Sequence, residues 1–323
     1  MFQAYKTEFL TFRPCGCNVA GSLGNVASCN KNGTCLCKQN VEGAKCDLCK
    51  PGFFDLQWNN EFGCTSCFCF GHSSVCTSTP GYSLHRVEST FNRDAEMWSA
   101  KDKTGADVPF NYNSLNRNIA ASSSYQNNPV YFMAPQKFLG DKKFSYNRNL
   151  SFSLAITGDN PLSTLEDIVI EGGGGLRIST PIFGQGNPIP SNTRTFYTFR
   201  LNEDMNYGWT PPMSTRDFMA LLANVTAIKI KSTYTMSGSG SVDDVLLETA
   251  VEAPGLEHER ATWVETCTCP TGYDGQHCDS CAPGYKRDPP RGGKFAVCVP
   301  CICNKHGEYC DSESGRRETF LTF

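Results

Sequence analysis

The sequence predicts a mainly β protein in which a β-sandwich is inserted into a series of small disulfide-rich modules. Three observations predict it. All 19 cysteines fall in the two ends of the chain, and none lies between Cys76 and Cys267. With that gap closed up, the cysteines repeat with a period near 50 residues. Inside the gap, apolar and polar residues alternate over short runs separated by Gly, Pro and Asn, the pattern of half-buried strands.

Composition narrows the partners before any motif is read. The chain is 323 residues long and 39% hydrophobic, enough for more than one domain and at least one proper core. A formal net charge of −3 with Lys and Arg thinly spread provides no electrostatic footprint for nucleic acid. No apolar run is long enough to span a bilayer, so no membrane insertion is expected. Residues 1–14 stand outside the repeat, and Met1–Leu10 lacks the apolar core of a signal peptide, so a secreted chain is expected to be a piece of a longer sequence.

From Cys15 the spacing runs Cys15-x-Cys17, Cys29, Cys35-x-Cys37, Cys46-x-x-Cys49 and Cys64, with few large apolar residues between. A segment this poor in core is stapled by disulfides in an oxidising compartment or by metal in a reducing one. Zinc has a case on spacing, because Cys46-x-x-Cys49 with Cys64-x-x-Cys67 and Cys278-x-x-Cys281 with Cys298-x-x-Cys301 resemble ribbon ligand pairs. Against it, neighbouring Cys-x-Cys pairs are left unexplained, basic surroundings are missing, and glycosylation sequons are present. No metal or cofactor is expected.

A second series begins at Cys67-x-Cys69 and Cys76, is interrupted by the gap, and resumes at Cys267-x-Cys269, Cys278, Cys281 and Cys298. It aligns with the first series position by position. A third starts at Cys301-x-Cys303 and Cys310 and is not completed. Tandem modules with such short junctions are expected to stack into a rod. Spacing leaves the pairing open, since eight cysteines allow 105 connectivities.

The segments Cys35-Leu-Cys-Lys-Gln-Asn-Val-Glu-Gly-Ala-Lys-Cys-Asp-Leu-Cys-Lys-Pro-Gly-Phe-Phe54 and Cys269-Pro-Thr-Gly-Tyr-Asp-Gly-Gln-His-Cys-Asp-Ser-Cys-Ala-Pro-Gly-Tyr285 resemble laminin EGF-like repeats. The interruption after Cys76 resembles the laminin IV type A domain, which in that family sits inside such a repeat. Cys67-Phe-Cys-Phe-Gly-His-Ser-Ser-Val-Cys76 and Tyr131-Phe-Met-Ala-Pro-Gln-Lys-Phe-Leu-Gly140 look most like the gamma branch of the laminin family. The resemblance implies Cys15–Cys29, Cys17–Cys35, Cys37–Cys46 and Cys49–Cys64 in the first module. It implies Cys67–Cys76, Cys69–Cys267, Cys269–Cys278 and Cys281–Cys298 in the split one, and Cys301–Cys310 in the third, with Cys303 left over. The expected layout is a module at 15–66, a split module at 67–76 and 267–300, an inserted laminin IV type A sandwich or jelly roll at 77–266, a truncated module at 301–315 and an off-pattern tail at 316–323.

Within the insert, Leu150, Phe152, Leu154 and Ile156 share one strand face, as do Ile228 and Ile230 of Ala227–Lys231. Further strands are expected at Val130–Met133, Asp167–Glu171, Leu176–Ser179, Arg194–Leu201 and Val242–Thr249. One helix is expected, with Ser214 as N-cap, Asp217 three residues on, and Phe218, Leu221, Leu222 and Val225 at helical spacing.

No catalytic constellation is found, and no enzyme activity is expected. Gly172–Gly175 reads as a hairpin turn rather than a phosphate loop. Asp243 and Asp244 fit a calcium pair less well than a solvated strand start. His72, His85, His258, His277 and His306 have no metal spacing and are expected on the surface. Trp98 and Trp209 suit a core better than a carbohydrate platform. Lys137, Lys142, Lys143 and Arg148 form a basic run that would attract heparan sulfate if clustered, although a solvated strand edge is the commoner meaning. Asn32, Asn149 and Asn224 head N-glycosylation sequons, with Asn149 expected in an exposed polar turn and Asn224 partly shielded at the helix end.

The family reading has departures. Arg316–Phe323 and Thr7–Phe12 look foreign to the repeat, and the coiled coil through which laminin chains trimerise is not in this sequence. Gamma chains can bind nidogen through an Asn-Ile-Asp-Pro-Asn-Ala-Val loop. The corresponding Asn18-Val-Ala-Gly-Ser-Leu-Gly-Asn-Val-Ala-Ser28 does not contain it, so nidogen binding by this stretch is not expected. The resemblance implies a secreted basement-membrane component that partners other laminin chains through regions absent here, with matrix proteins or proteoglycans as further partners. Alternatives are a laminin alpha chain or perlecan-like proteoglycan, a carbohydrate-binding lectin-like module and, more distantly, an intracellular zinc ribbon.

Overall fold

The computed structural model describes residues 15–122, 128–253, 259–301 and 310–316. The readings at residues 1–14, His258, Cys303, His306 and 317–323 lie outside them. The chain divides into two compact units, one built of residues 1–78 and 265–323, the other of Thr79–Val264.

The first unit contains short β-ladders and a core made mainly of half-cystines, with an aromatic cluster of Phe68, Phe70 and Phe295 in the split module. In residues 15–64 the buried cluster is Cys17, Cys35, Cys46 and Cys64 with Val41 as its one non-cysteine member, so the disulfides themselves fill the interior. Two-residue strands pair Val41–Glu42 with Leu48–Cys49 and Phe53–Phe54 with Thr65–Ser66. Gly21 lies so close to the Cys46 carbonyl that a Cβ there would sit 1.9 Å from the oxygen, which is why a side chain is not tolerated at this crossing. Lys38 is buried and donates from Nζ to the carbonyls of Trp58 and Asn60. The unit continues through ladders between Cys76–Ser78 and Glu265–Cys267 and between Tyr285–Asp288 and Val297–Pro300. Phe54 reaches across a module junction to pack with Cys69, Cys76, Cys267 and Cys278.

The second unit is a two-sheet β-sandwich. Its elements are β1 (Tyr82–Ser89), β2 (Ser99–Asp102), β3 (Asn111–Asn113), β4 (Asn118–Ser122), β5 (Val130–Met133), β6 (Asn149–Ile156), β7 (Ile168–Gly172), β8 (Arg177–Thr180), β9 (Thr195–Arg200), α1 (Thr215–Ala223), β10 (Val225–Lys231) and β11 (Ser239–Glu252). One sheet has the order β8-β7-β10-β5-β2. The other has β9-β6-β11-β4-β3, with β1 on the far half of β11, and all pairings are antiparallel. Leu150, Phe152, Leu154 and Ile156 of β6 are buried, and Phe152 stacks between Tyr197 and Phe199 of β9 at 5.8 and 5.9 Å. Ile168 and Ile170 of β7, Ile228 and Ile230 of β10 and Phe132 of β5 are likewise buried in the first-named sheet.

The helix forms at the expected position but ends at Ala223, with Asn224 as its C-cap, so Val225 opens β10 instead of completing the helical face. Ser214 Oγ accepts the Asp217 N–H at 3.1 Å, and Phe218, Leu221 and Leu222 are buried against the end of β7. Gly172 permits that approach, since a Cβ would stand 2.8 Å from Leu221 Cα. Strand bounds differ from expectation by about one residue at several ends, and β11 runs 14 residues rather than eight. Asp167 is not a strand residue. It is buried and holds Lys231 Nζ at 2.9 Å while accepting the N–H of Ile182. Strands β1 to β4 were not expected: β1, β2 and β3 are largely polar or charged, and β4, Asn118-Ile-Ala-Ala-Ser122, is short with Ile119 as its one strong strand former. β2 and β3 are sheet edges, where such residues blunt aberrant pairing.

Candidate functional site

Besides the buried Asp167–Lys231 pair, two places among the described residues gather residues singled out by the sequence: the seam of the split module, and the outer face of the sheet that contains β11. At the seam, Ser78, Thr77 and Cys76 pair with Glu265, Thr266 and Cys267, and the Cys69–Cys267 disulfide spans 198 positions of sequence with its Cα atoms 5.9 Å apart. Glu265 is the second closure of this seam. Its carboxylate accepts the N–H groups of Phe68 and Cys69, both at 2.8 Å, from the other half of the module. Cys69 and Phe70 have φ of 41° and 50°. Successive N–H groups in such a conformation form a concavity that favours an anion, so the buried carboxylate stabilises a backbone shape that side-chain-bearing residues otherwise avoid. No local signal could have singled out Glu265, whose partners lie 196 and 197 positions away.

His277 was expected at the surface, yet it is buried beside this carboxylate, with Nδ1 3.5 Å from Glu265 Oε1. His72 stacks on Tyr273 at 4.2 Å and bonds the Lys294 carbonyl through Nε2. His85 is exposed on β1. Asp279 pairs with Lys294 at 2.9 Å. Burial alone would raise its pKa, but the hydrogen bond and charge of Lys294 outweigh burial and hold the carboxyl below its ordinary value.

The structure brings together Cys15 and Cys29, Cys17 and Cys35, Cys37 and Cys46, and Cys49 and Cys64. It also joins Cys67 and Cys76, Cys69 and Cys267, Cys269 and Cys278, Cys281 and Cys298, and Cys301 and Cys310. The ribbon-like spacing is thereby dispersed, because Cys46, Cys49 and Cys67 belong to three different bonds. Cys67, Cys76 and Glu265, and Cys69, Glu265 and Cys267, do gather within 4.8 Å, but with the sulfurs bonded to each other only a carboxylate remains in each group as a ligand.

In the sandwich, several expected placements change. Asn149 opens β6 between β9 and β11 and is half-buried rather than in a turn, and Ser151 of its sequon is buried. Asn224 is exposed at the helix C-cap, and Asn32 is exposed in the first module. Gly173–Gly175 form the turn between β7 and β8. Trp98 and Trp209 are core residues that donate their indole N–H groups to Ser89 Oγ and the Arg200 carbonyl, so neither provides a platform. The basic run is not a cluster. Lys137 pairs with Glu96, Lys143 with Asp141, Lys142 donates to the Leu139 carbonyl, and Arg148 lies buried 3.8 Å over the Trp263 ring.

Asp243 and Asp244 are not a strand start. They lie inside β11, where the register against β6 shifts between Ser151 and Ser153 and Asp244 adopts φ 47°. Consecutive strand residues normally face opposite sides of a sheet, but this bulge turns both carboxylates to Arg194, whose Nη2 lies 2.7 Å from Asp243 and bonds Asp244 as well. A guanidinium thus occupies the position that a bound cation would need. Burial, together with the Asp244 charge, raises the pKa of Asp243 despite the opposing Arg194.

Comparison with known proteins places these features in a family. A laminin B (domain IV) family model matches residues 131–265, and a laminin EGF domain model matches 15–64 and 262–298. Human laminin subunit gamma-1 is 47% identical over 93% of this chain and 21% of its own length. Human laminin subunit gamma-2 is 40% identical over 93% and 24%, and the Caenorhabditis elegans laminin-like protein lam-2 is 43% identical over 90% and 21%. The chain therefore spans about a fifth to a quarter of the length of these relatives. Among solved structures, the L4b domain of human laminin alpha-2 matches 51% of this chain and 96% of its own, with 16% identity and a TM-score of 0.42. With EGF-type modules on both sides of a domain IV sandwich and gamma subunits as its relatives, the chain belongs to the laminin family and is of the gamma-subunit type.

Proposed function

We propose that this chain is a structural, non-catalytic segment of the extracellular matrix, secreted into basement membrane. Its disulfide-pinned modules carry tension past an inserted sandwich. The boundaries proposed are those of a module at 15–66, a split module at 67–76 and 267–300, an insert at 77–266 and a third module from 301. The observation that carries the reading is the closed seam, in which the Cys69–Cys267 bond and the three-residue ladder between Cys76–Ser78 and Glu265–Cys267 bring the two halves of the module together. On the other side of the boundary, the Thr79 N–H donates to the Val264 carbonyl at 2.7 Å, so the ends of the insert are also tied to each other. Load entering one half of the module then leaves through the other without passing through the sandwich.

Assembly with other laminin chains would use regions outside this sequence. Matrix proteins or proteoglycans are the partners expected for the modules and the sandwich faces, whereas nidogen, nucleic acid and a membrane interior are not. Asn32, Asn149 and Asn224 are the proposed N-glycan acceptors. Non-reducing peptide mapping of the secreted chain tests the reading: a peptide pair linked through Cys69 and Cys267 supports it, and free thiols carrying stoichiometric zinc overturn it.

A further inference from the structure

The outer face of the sheet containing β11 carries a cleft of about 760 Å³, bordered by the loops after β1 and β3 and by the residues leading into β9. Its lining is almost wholly polar, and its charges cancel, with Arg117 and Arg194 set against Asp243 and Asp244. Two features show that it is built rather than incidental. Arg117 and Asp244, both in the lining, have left-handed backbone, at φ 51° and 47°, a conformation that costs a side-chain-bearing residue about 1 kcal/mol or more and persists only where the surroundings impose it. The turn under Arg117 is imposed by Asn113, whose Oδ1 accepts the N–H groups of Leu115 and Asn116. The second feature is the bulge that delivers both carboxylates to Arg194 while keeping Val242 and Val245 in the core. The result is a fixed array of acceptors and donors. Beside it, the side chains of Asn116, Arg117, Asn118 and Asn192 have no hydrogen-bond partner among the described residues.

We infer that this cleft binds a neutral saccharide chain. Vicinal hydroxyls each offer a donor and an acceptor, and planar amide, carboxylate and guanidinium groups meet them in pairs. A lining with balanced charge offers no Coulombic preference for an anionic or cationic ligand. With no enclosed apolar surface it offers nothing to a lipid, and its open form admits a chain. Among the described residues, the only large apolar side chain in the lining is Leu115, 93% exposed, which suits the C–H face of a sugar ring. Since the described lining includes no aromatic ring, affinity is expected to be weak, with a Kd of about 1 mM.

The test titrates the isotopically labelled whole chain with neutral tri- and tetrasaccharides built of glucose, galactose, mannose or N-acetyllactosamine, and with a sulfated heparin tetrasaccharide. The expected result is that at least one neutral oligosaccharide shifts the amide resonances of Asn116–Asn118 and Ser241–Asp244, and that Arg117→Ala and Asn116→Ala each weaken it about tenfold with unchanged thermal unfolding. Both side chains are exposed and make no hydrogen bond among the described residues, and the Asn116 N–H bond to Asn113 survives either substitution, so a failure to fold does not confound the result. Lack of binding by every neutral sugar at tens of millimolar, binding unaffected by both variants, or salt-sensitive binding of the heparin fragment alone overturns the inference. None of these outcomes bears on the disulfide seam, whose own test is the peptide map.

Discussion

The two units reach a defined structure by opposite means. In the modules, four of the five buried residues of the first cluster are half-cystines, and ordered strands are two to four residues long. In the sandwich no cysteine is present, and stability comes from facing layers of Leu, Ile, Phe and Tyr with almost no exposure. A disulfide acts largely by restricting the unfolded chain, whereas a core acts by removing apolar surface from water. The difference teaches where each can fail: the modules are vulnerable to reduction, and the sandwich to cavities.

Reduction breaks this comparison most severely. Losing one native disulfide from a small secreted domain costs about 2–5 kcal/mol, and the first module has four in 50 residues, far more than Val41 and its neighbours can offset. Treatment with a phosphine reductant at neutral pH should abolish amide protection throughout 15–78 and 265–301 while leaving β6, β7, β10 and β11 protected in hydrogen exchange. Simultaneous loss in both units would show that the sandwich depends on the staples.

The converse perturbation is Phe152→Ala. The ring is fully buried between Tyr197 and Phe199, and the lost contacts and resulting cavity should cost about 3–5 kcal/mol. In calorimetry the transition of the sandwich should fall by roughly 10 °C, with the non-reducing peptide map unchanged. Smaller again is Glu265→Ala, which strands two buried N–H groups of Phe68 and Cys69, for about 2–4 kcal/mol confined to the split module. Glu265→Gln, which keeps one acceptor oxygen, should recover part of that loss, measured as resistance of the Cys69–Cys76 segment to limited proteolysis.

How much of this was legible depends on the range of the interaction. Period-two alternation exposed β6 and β10, and an N-cap serine three residues before an aspartate exposed α1, because those signals are local. Strands β1 to β3 were hidden because edge positions let Ser, Lys, Asn and His replace the apolar alternation, and β4, which pairs on both sides, because Asn118-Ile-Ala-Ala-Ser122 has Ile119 as its one strong strand former. The paired behaviour of Asp243 and Asp244 was hidden for another reason. A bulge is a property of two strands, and nothing in one strand's sequence states that the next residue will repeat the face of the last. Glu265 and His277 belong to the same class, since a chain that leaves a module and returns 190 residues later leaves no trace of that contact in either local sequence. The candidate seam was approached through its cysteines because their spacing repeats, while the carboxylate beside them does not.

The smallest expected effect sharpens the comparison by its sign. Asp279, in the split module, is held below the ordinary carboxyl range because Lys294 outweighs its burial. Such a group contributes stability above the unfolded value of about 3.9 and loses it as pH falls through its depressed folded value. Asp243, in the sandwich, is raised by burial and by Asp244. Its contribution has the opposite sense: fully present below the unfolded value and lost as pH rises through the elevated folded one. Between neutral pH and pH 3, Asp279→Asn should therefore flatten the acid limb of the module, while Asp243→Asn should remove a gain that the sandwich makes on acidification. Lys294 is half-exposed, so the module effect should stay under about 1 kcal/mol and shrink in salt. Hydrogen exchange at a series of pH values resolves the two units separately, and limbs of the same sign in both would break the assignment of these carboxyls to opposite environments.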